Sequence, residues 1–185
     1  MKQGLSNEQQ SVIYLNLREG KIVTKEKDKI IEYASITGKI LEFQFVEDEY
    51  NGKKYEKAKV IIKADEIDYC LQMRTESGYF RGLCNSLKSG NPKDLVTLSP
   101  NSKVVNGKPV TTIFVKQHDK WLKHYHTLEN MGDLPELHKV EFKGATHFDN
   151  SEQINFWKEW ANKTFINTTT NDKPNSFFEN DDVPF

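Results

Sequence analysis

Residues 34–63 read ASITGKILEFQFVEDEYNGKKYEKAKVIIK, and this stretch decides the fold. The pair Asn51-Gly52 is a strong signal for a two-residue hairpin turn. On both sides of the turn apolar residues alternate with polar ones, which predicts two antiparallel strands, Ala34 to Val46 and Lys54 to Lys63. The side chains predicted to face the core are Leu41, Phe43 and Phe45 on the first strand and Ala58, Val60 and Ile62 on the second.

Three further segments show the same alternation and are bounded by turn residues. Asn106-Gly107, a second hairpin signal, joins the last two of them. Between the first and the second, apolar residues recur at helical spacing until Gly90-Asn91-Pro92 ends the pattern. The predicted strands are Ile67 to Arg74, Leu95 to Val105 and Pro109 to Gln117, and the predicted helix buries Phe80, Leu83, Cys84 and Leu87.

Three strands, a helix and two strands is the order of elements in a five-stranded oligonucleotide/oligosaccharide-binding barrel (OB-fold). The predicted fold is therefore mainly β with short helices, and the barrel occupies roughly residues 30–120. Weaker patterns predict an N-terminal hairpin within residues 11–24 and a C-terminal helix from Ser151 to Phe165. We assign residues 1–166 to one domain, 167–176 to a flexible polar linker and 177–185 to an acidic, disordered tip.

The composition favours one globular domain over a disordered or membrane protein. Of the 185 residues, 36% are hydrophobic and 29% charged. No apolar run approaches the roughly 20 residues that span a bilayer, and the first residues lack a secretory signal, so we expect a cytoplasmic protein without a membrane partner. Cys70 and Cys84 lack a second thiol or a histidine at metal-ligand spacing and are expected to be buried, reduced thiols.

The most specific motif is the end of the chain, where acidic residues precede an apolar-Pro-Phe terminus. Residues 171–185 carry four acidic side chains and one basic one, so they contribute −3 to a net charge of −1 and leave +2 on the rest. The last five residues are Asp181, Asp182, Val183, Pro184 and Phe185. Position by position, they resemble the tail tip of the bacterial and phage single-stranded DNA-binding (SSB) protein family.

This resemblance implies a role for the tip. In the SSB family a disordered linker ends in such a tip, and partner proteins bind it through a hydrophobic pocket and basic residues around the terminal carboxylate. The residue chemistry agrees, since Phe185 offers a ring and a carboxylate, Pro184 restricts the backbone, and two Asp side chains can pair with Lys or Arg. We therefore expect residues 181–185 to recruit replication or repair proteins. The body does not align with the bacterial family, which implies a divergent phage or mobile-element type.

The residues that contact DNA are predicted from charge and aromatic rings, because basic groups neutralise phosphates and rings stack on bases. Segment 53–63 holds five lysines against one acid, and segment 114–126 holds three lysines among aromatic rings, again against one acid. An ordinary solvated strand explains the first segment equally well, and Trp121 and Tyr125 also fit a core. The candidates are Tyr55, Lys57, Lys59, Lys63, Arg74, Tyr79 and Arg81, followed by Phe114, Lys116, Lys120, Trp121, Lys123 and Tyr125.

Catalytic and metal chemistry find less support. His118, His124 and His126 are close in sequence, but their neighbours are basic and no third acid or thiol accompanies them, so we expect neither a metal nor another cofactor. Asp133 with Glu141-x-Lys143 fits the loose pattern of Mg²⁺-dependent nucleases, although an exposed strand also explains it. No phosphate loop or nucleophile elbow appears, which favours a protein that is not an enzyme.

The sequence thus predicts a protein that binds and protects single-stranded DNA without sequence specificity during replication, recombination or repair. An adaptor that binds RNA or only protein stays open, because a fold does not fix a function. A homo-oligomer also stays open. Residues 122–150 are unexplained, and they either extend the DNA groove or form a subunit interface.

Overall fold

The computed structural model describes residues 12–142 and 145–165. The predicted linker and acidic tip lie outside these residues. The described residues form eleven strands and two α-helices. In chain order they are β1 (Ile13–Arg18), β2 (Lys21–Glu26), β3 (Lys29–Tyr33), β4 (Ile36–Tyr50), β5 (Lys53–Ala64), β6 (Ile67–Arg74), α1 (Gly78–Leu87), β7 (Leu95–Val105), β8 (Lys108–Gln117), β9 (Lys120–Trp121), β10 (His138–Phe142), β11 (Ala145–Asp149) and α2 (Ser151–Thr164).

Each strand and helix predicted from the sequence is present, with ends shifted by a few residues. The two Asn-Gly pairs explain the long hairpins, because both residues of each pair have positive φ, between 50° and 74°. Strands β3, β9, β10 and β11 were not predicted. The turns before β3 and β9 contain Lys27, His118 and Asp119 at positive φ, an uncommon conformation for non-glycine residues, and neither turn has the glycine that marks the two long hairpins.

Nine strands form one mixed sheet in the order β3-β2-β1-β6-β5-β4-β7-β8-β9, counted over the described residues. Neighbouring strands are antiparallel except β1 and β6, which run parallel. The mainly β fold with short helices is thereby confirmed. This sheet differs from the predicted five-stranded barrel. It has nine strands, and within the described part of the chain no ladder joins the edge strands β3 and β9 to close it.

The five strands predicted to form the barrel are nevertheless neighbours, in the order β6-β5-β4-β7-β8, and α1 connects β6 to β7. The N-terminal hairpin extends this group by pairing β1 with β6. The sheet curls until the β1–β2 turn meets β7, where a Cβ atom on Gly20 would lie 2.7 Å from the backbone nitrogen of Ser102. The amide of Gly20 also donates a hydrogen bond of 2.9 Å to the Tyr79 hydroxyl of α1.

One face of the sheet, the inner face, packs against both helices. The ring of Phe80 in α1 lies 5.8 Å from that of Phe45, and Phe165 after α2 lies 5.0 Å from Phe43. Burial of these aromatic rings supplies much of the hydrophobic stabilisation of such a core. The residues predicted to be inward on β5 and α1 are all fully buried, namely Ala58, Val60, Ile62, Phe80, Leu83, Cys84 and Leu87.

The predicted inward face of β4 is wrong at one position. The β4–β5 register shifts between Ile40 and Glu42, so Leu41 has no partner across the ladder. Such a bulge reverses the alternation of side chains. Ile40, which is 2% exposed, therefore shares the core with Phe43, whereas Leu41 is half-buried outside the core cluster.

Residues 122–137, the connecting segment, lie across the end of α1. Asn85 of α1 exchanges two hydrogen bonds with the backbone of His126, at 3.0 and 2.8 Å. Gln153 of α2 donates to the carbonyl of Pro135 at 2.7 Å. The segment thus ties the two helices together. The β10–β11 hairpin that follows is separate from the main sheet, and its described side chains are exposed.

Both cysteines are buried free thiols, as predicted. Burial raises the pKa of each thiol, to about 11 for Cys70, so both stay protonated at neutral pH. No helix in the described ranges is both long and apolar enough to cross a membrane.

Candidate nucleic-acid interface

The side of the sheet opposite the helices, the outer face, carries the predicted basic residues of β5. Since residues 58, 60 and 62 face the core, alternation places Lys57, Lys59 and Lys63 on the outer face. Lys59 lies between Gln44 of β4 and Gln72 of β6 across the two ladders. No carboxylate pairs with Lys59 among the described residues, so its charge is open to a ligand.

Two lysines oppose each other directly on this face. Lys39 of β4 is the ladder partner of Lys63 of β5. Like charges in this position destabilise a sheet. Asp68 lies 3.9 Å from Lys63 and relieves only part of the repulsion, and Lys39 is exposed and lacks an acidic partner in the described chain. The pair is therefore a favourable position for an anionic group such as a phosphate.

Four side chains at the far end of β5 form a connected group, the Tyr55 cluster: Asp48, Tyr55, Lys57 and Arg74. The Tyr55 hydroxyl donates to Asp48 at 2.6 Å, and Lys57 donates to the same carboxylate. These two bonds, that from Lys57 first, lower the pKa of Asp48 to about 2. The guanidinium of Arg74 lies 4.3 Å from the centre of the Tyr55 ring and has no carboxylate partner in the described residues.

The Tyr55 cluster borders a cavity of about 300 Å³. Tyr55, Lys57, Arg74 and Tyr79 all line it, so the structure brings four of the candidate residues to one place. Tyr79 differs from the others because it is 7% exposed and its hydroxyl accepts the hydrogen bond from Gly20. Its ring forms part of the cavity wall rather than an exposed stacking surface.

A second group, the aromatic patch, consists of Phe114, Lys116 and Trp121. Ile113 and Val115 are fully buried, so Phe114 and Lys116 point outward, as predicted. The turn before β9 places Trp121 opposite Lys116 in the ladder. Phe114 and Trp121 are 47% and 58% exposed, and their ring centres are 6.2 Å apart at 73°. Two rings of this kind offer stacking surfaces for bases.

The remaining candidates lie around the aromatic patch or on α1. Lys120 and Lys123 are exposed. Tyr125 is 48% exposed, and its ring lies 4.8 Å from the ammonium of Lys88. Arg81 is half-buried on α1, with an Nε atom that has no hydrogen-bond partner in the described chain.

The histidines that suggested a metal site are separated by their contacts. His126 is buried beside Lys88, whose ammonium lies 3.1 Å from its Nε2 atom and 3.0 Å from Asp133. Burial, and then the charge of Lys88, lower the pKa of His126, so its ring is neutral at physiological pH. His118 instead lies 3.8 Å from Asp94.

The residues of the nuclease pattern also have other contacts. Asp133 pairs with Lys88, and Glu141 pairs with Lys139 at 3.3 Å on the β10–β11 hairpin. Lys143 lies outside the described residues. Over residues 12–142 and 145–165, no group of three or more His, Cys, Asp or Glu side chains is placed to hold a metal ion.

Two important residues of the outer face were missed from the sequence. Asp48 lies opposite Tyr55 in the hairpin set by Asn51-Gly52, and this spacing was the available signal. Lys39 was overlooked because its neighbour Lys63 becomes apparent only once the register of the bulged strand is known.

Comparisons with protein-family models, with curated proteins and with solved structures find no match. The function is therefore inferred from the side chains on the outer face. It combines open cations with exposed rings, a combination that suits an anionic polymer with planar bases.

Proposed function

We propose that this protein binds single-stranded DNA without sequence specificity and without catalysis, protecting the strand during replication, recombination or repair. The strand follows the outer face of the sheet. Its lysines displace counterions from the phosphates, and the rings of the aromatic patch stack on bases. Binding by these means is tight at low salt and falls steeply as salt rises.

The observation that carries this proposal is the opposed pair Lys39 and Lys63. Cross-strand pairs contribute or cost about 0.2–1 kcal/mol, so a like-charge pair is a liability that a bound phosphate would turn into a favourable contact. Lys59, four residues before Lys63 on the same face, adds a further open charge. The exposed rings Phe114 and Trp121 on the same face favour single strands, because only unpaired bases can stack on a protein ring.

An OB-type arrangement of the five central strands is part of the proposal. Their order, β6-β5-β4-β7-β8, and the position of α1 between the third and fourth of them in sequence support it. In OB-folds the second and third strands contribute to the binding surface. The corresponding strands here, β5 and β6, carry Lys59, Lys63 and every residue of the Tyr55 cluster except Asp48.

The acidic tip is proposed to recruit replication or repair proteins. Its sequence, Asp181 to Phe185, and the polar linker before it support this role. A tether of this composition lets the tip reach a partner while the domain stays on DNA. The partner would supply an apolar pocket for Phe185 and basic groups for its carboxylate.

The test is fluorescence anisotropy of labelled single-stranded DNA, duplex DNA and RNA of equal length, titrated with the full chain at low and moderate salt. We expect tight, salt-sensitive binding that favours single-stranded DNA. Equal binding to RNA would redirect the proposal to an RNA-binding function. Absence of binding to all three would overturn it and leave the adaptor function.

A further inference from the structure

The parallel strands β1 and β6 form a fork beside the Tyr55 cluster. Their ladder runs to the pair Asn16–Gln72 and ends there, while β1 continues beside β2 and β6 continues beside β5. The cavity of about 300 Å³ lies at this fork and is lined by residues of both strands. Its volume is at the lower end of the range for small-ligand sites, which suits one planar ring system rather than several nucleotides.

Two side-chain amides face each other across the fork. Asn16 and Gln72 are ladder partners, both are half-buried, and both line the cavity. Neither amide has a side-chain hydrogen-bond partner among the described residues. The polar atoms of both amides are open to solvent, so two donors and an acceptor on each are available to a ligand. A ligand with donors and acceptors on one edge would satisfy both amides.

The other residues that line the cavity add apolar surface and a positive charge. Leu17 and Met73, the residues that follow the two amides, contribute apolar surface to the cavity. Arg74 at the rim has a guanidinium plane that already covers one face of Tyr55. An apolar wall, a cation and two amides match a base with its attached phosphate, since the base is flat and apolar on its faces and polar on its edge.

We propose that the fork of β1 and β6 holds one nucleobase of the bound strand, turned out of the stack, with Asn16 and Gln72 bonded to its edge. This inference rests on the proposed function, because the base arrives as part of a bound single strand. It adds a site that reads base edges to a surface that otherwise reads phosphates and stacking faces. The site fixes the register of the strand relative to Arg74 and the Tyr55 cluster.

The experiment compares oligonucleotides of about 15 nucleotides, the upper range covered by one OB-type unit. Oligo(dA), oligo(dC) and oligo(dT) are measured against an abasic strand with the same number of phosphates. The variants are Gln72→Met and the double variant N16L/Q72M, which keep side-chain size and remove hydrogen bonding. Gln44→Met is the matched control, because Gln44 is the other ladder neighbour of Lys59 but does not line the cavity.

We expect the double variant to bind at least one base-containing strand about tenfold more weakly, with unchanged binding of the abasic strand. Gln44→Met should match the wild type on every strand, and thermal unfolding of all variants is measured to confirm folding. Equal affinities of wild type and double variant for all strands, or equal losses on base-containing and abasic strands, would overturn the pocket while leaving DNA binding intact. If the wild type binds none of the strands, the proposed function itself fails.

Discussion

The Tyr55 cluster and the aromatic patch lie on the same outer face but differ in how their charges and rings are held. In the Tyr55 cluster, Asp48 engages both the hydroxyl and the neighbouring ammonium, and Arg74 covers the ring. In the aromatic patch, Phe114 and Trp121 are about half exposed, and Lys116 pairs with the exposed Asp119. The first region is organised by internal contacts, whereas the second leaves its rings open. We therefore expect the aromatic patch to provide stacking and the Tyr55 cluster to provide rigid positioning.

Removing the open rings should have the largest effect on DNA binding. The double variant F114A/W121A should weaken single-stranded DNA affinity by tenfold or more, because stacking contributes about 1–3 kcal/mol per base. The exposure of both rings keeps the cost in folding stability small. Anisotropy titrations check this. Phe148→Ala is the control, since Phe148 is 63% exposed but lies on the separate β10–β11 hairpin. Unchanged affinity of F114A/W121A would remove the aromatic patch from the interface.

Neutralising the opposed lysines should have a smaller effect on affinity but a distinct salt signature. In K39Q/K63Q two phosphate contacts are lost, so affinity should fall several-fold at low salt and the slope of log affinity against log salt should decrease by about 1.4. The free energy of unfolding should rise by about 0.5 kcal/mol, because the like-charge pair is gone.

The salt titration and a denaturant titration together test the lysine pair. Lys139→Gln on the β10–β11 hairpin is the matched control and should change neither quantity. A salt slope in K39Q/K63Q equal to that of the wild type would show that no phosphate binds at the Lys39–Lys63 pair.

The contribution of the Tyr55 cluster to folding stability should be sensitive to acid. The pKa of Asp48 is about 2 in the folded protein against 3.8 for the free side chain, so its ionised form is favoured by folding. Its contribution is complete above pH 3.8 and is lost as pH falls through 2. Asp48→Asn should therefore reduce the free energy of unfolding at pH 7 by about 1 kcal/mol, after allowance for solvent screening.

The difference between Asp48→Asn and the wild type should shrink as pH falls from about 4 to 2, measured by urea unfolding across that range. Glu49→Gln, an exposed neighbour on the same strand, is the control. A destabilisation by Asp48→Asn that does not depend on pH would mean that shape, rather than charge, holds the Tyr55 cluster.

Local patterns predicted much of this architecture, and long-range pairing explains what they missed. The alternation of apolar and polar residues and the Asn-Gly turns predicted β4 to β8 and the outward orientation of Phe114 and Lys116. Both signals are local properties of the sequence. The pairing of Asn16 with Gln72 joins strands more than 50 residues apart, so no local pattern could reveal the fork. The sequence did not reveal the bulge at Leu41, because Ile40, Leu41 and Phe43 are all apolar and either Ile40 or Leu41 could share a face with Phe43. The OB-type arrangement stays a prediction, since the ladders form an open sheet of nine strands in the described residues.

Removing the acidic tip should have the smallest effect on DNA affinity. Deleting residues 181–185 removes two Asp side chains and moves the terminal carboxylate, so single-stranded DNA affinity should stay unchanged or rise by at most about threefold at low salt. A rise confined to low salt would mean that the tip competes with DNA for the open lysines of the outer face. The charge-matched control D181N/D182N keeps the Pro-Phe terminus and separates charge from shape. Weaker DNA binding by the truncated chain would instead make the tip part of the interface and contradict its assignment as a docking element for proteins.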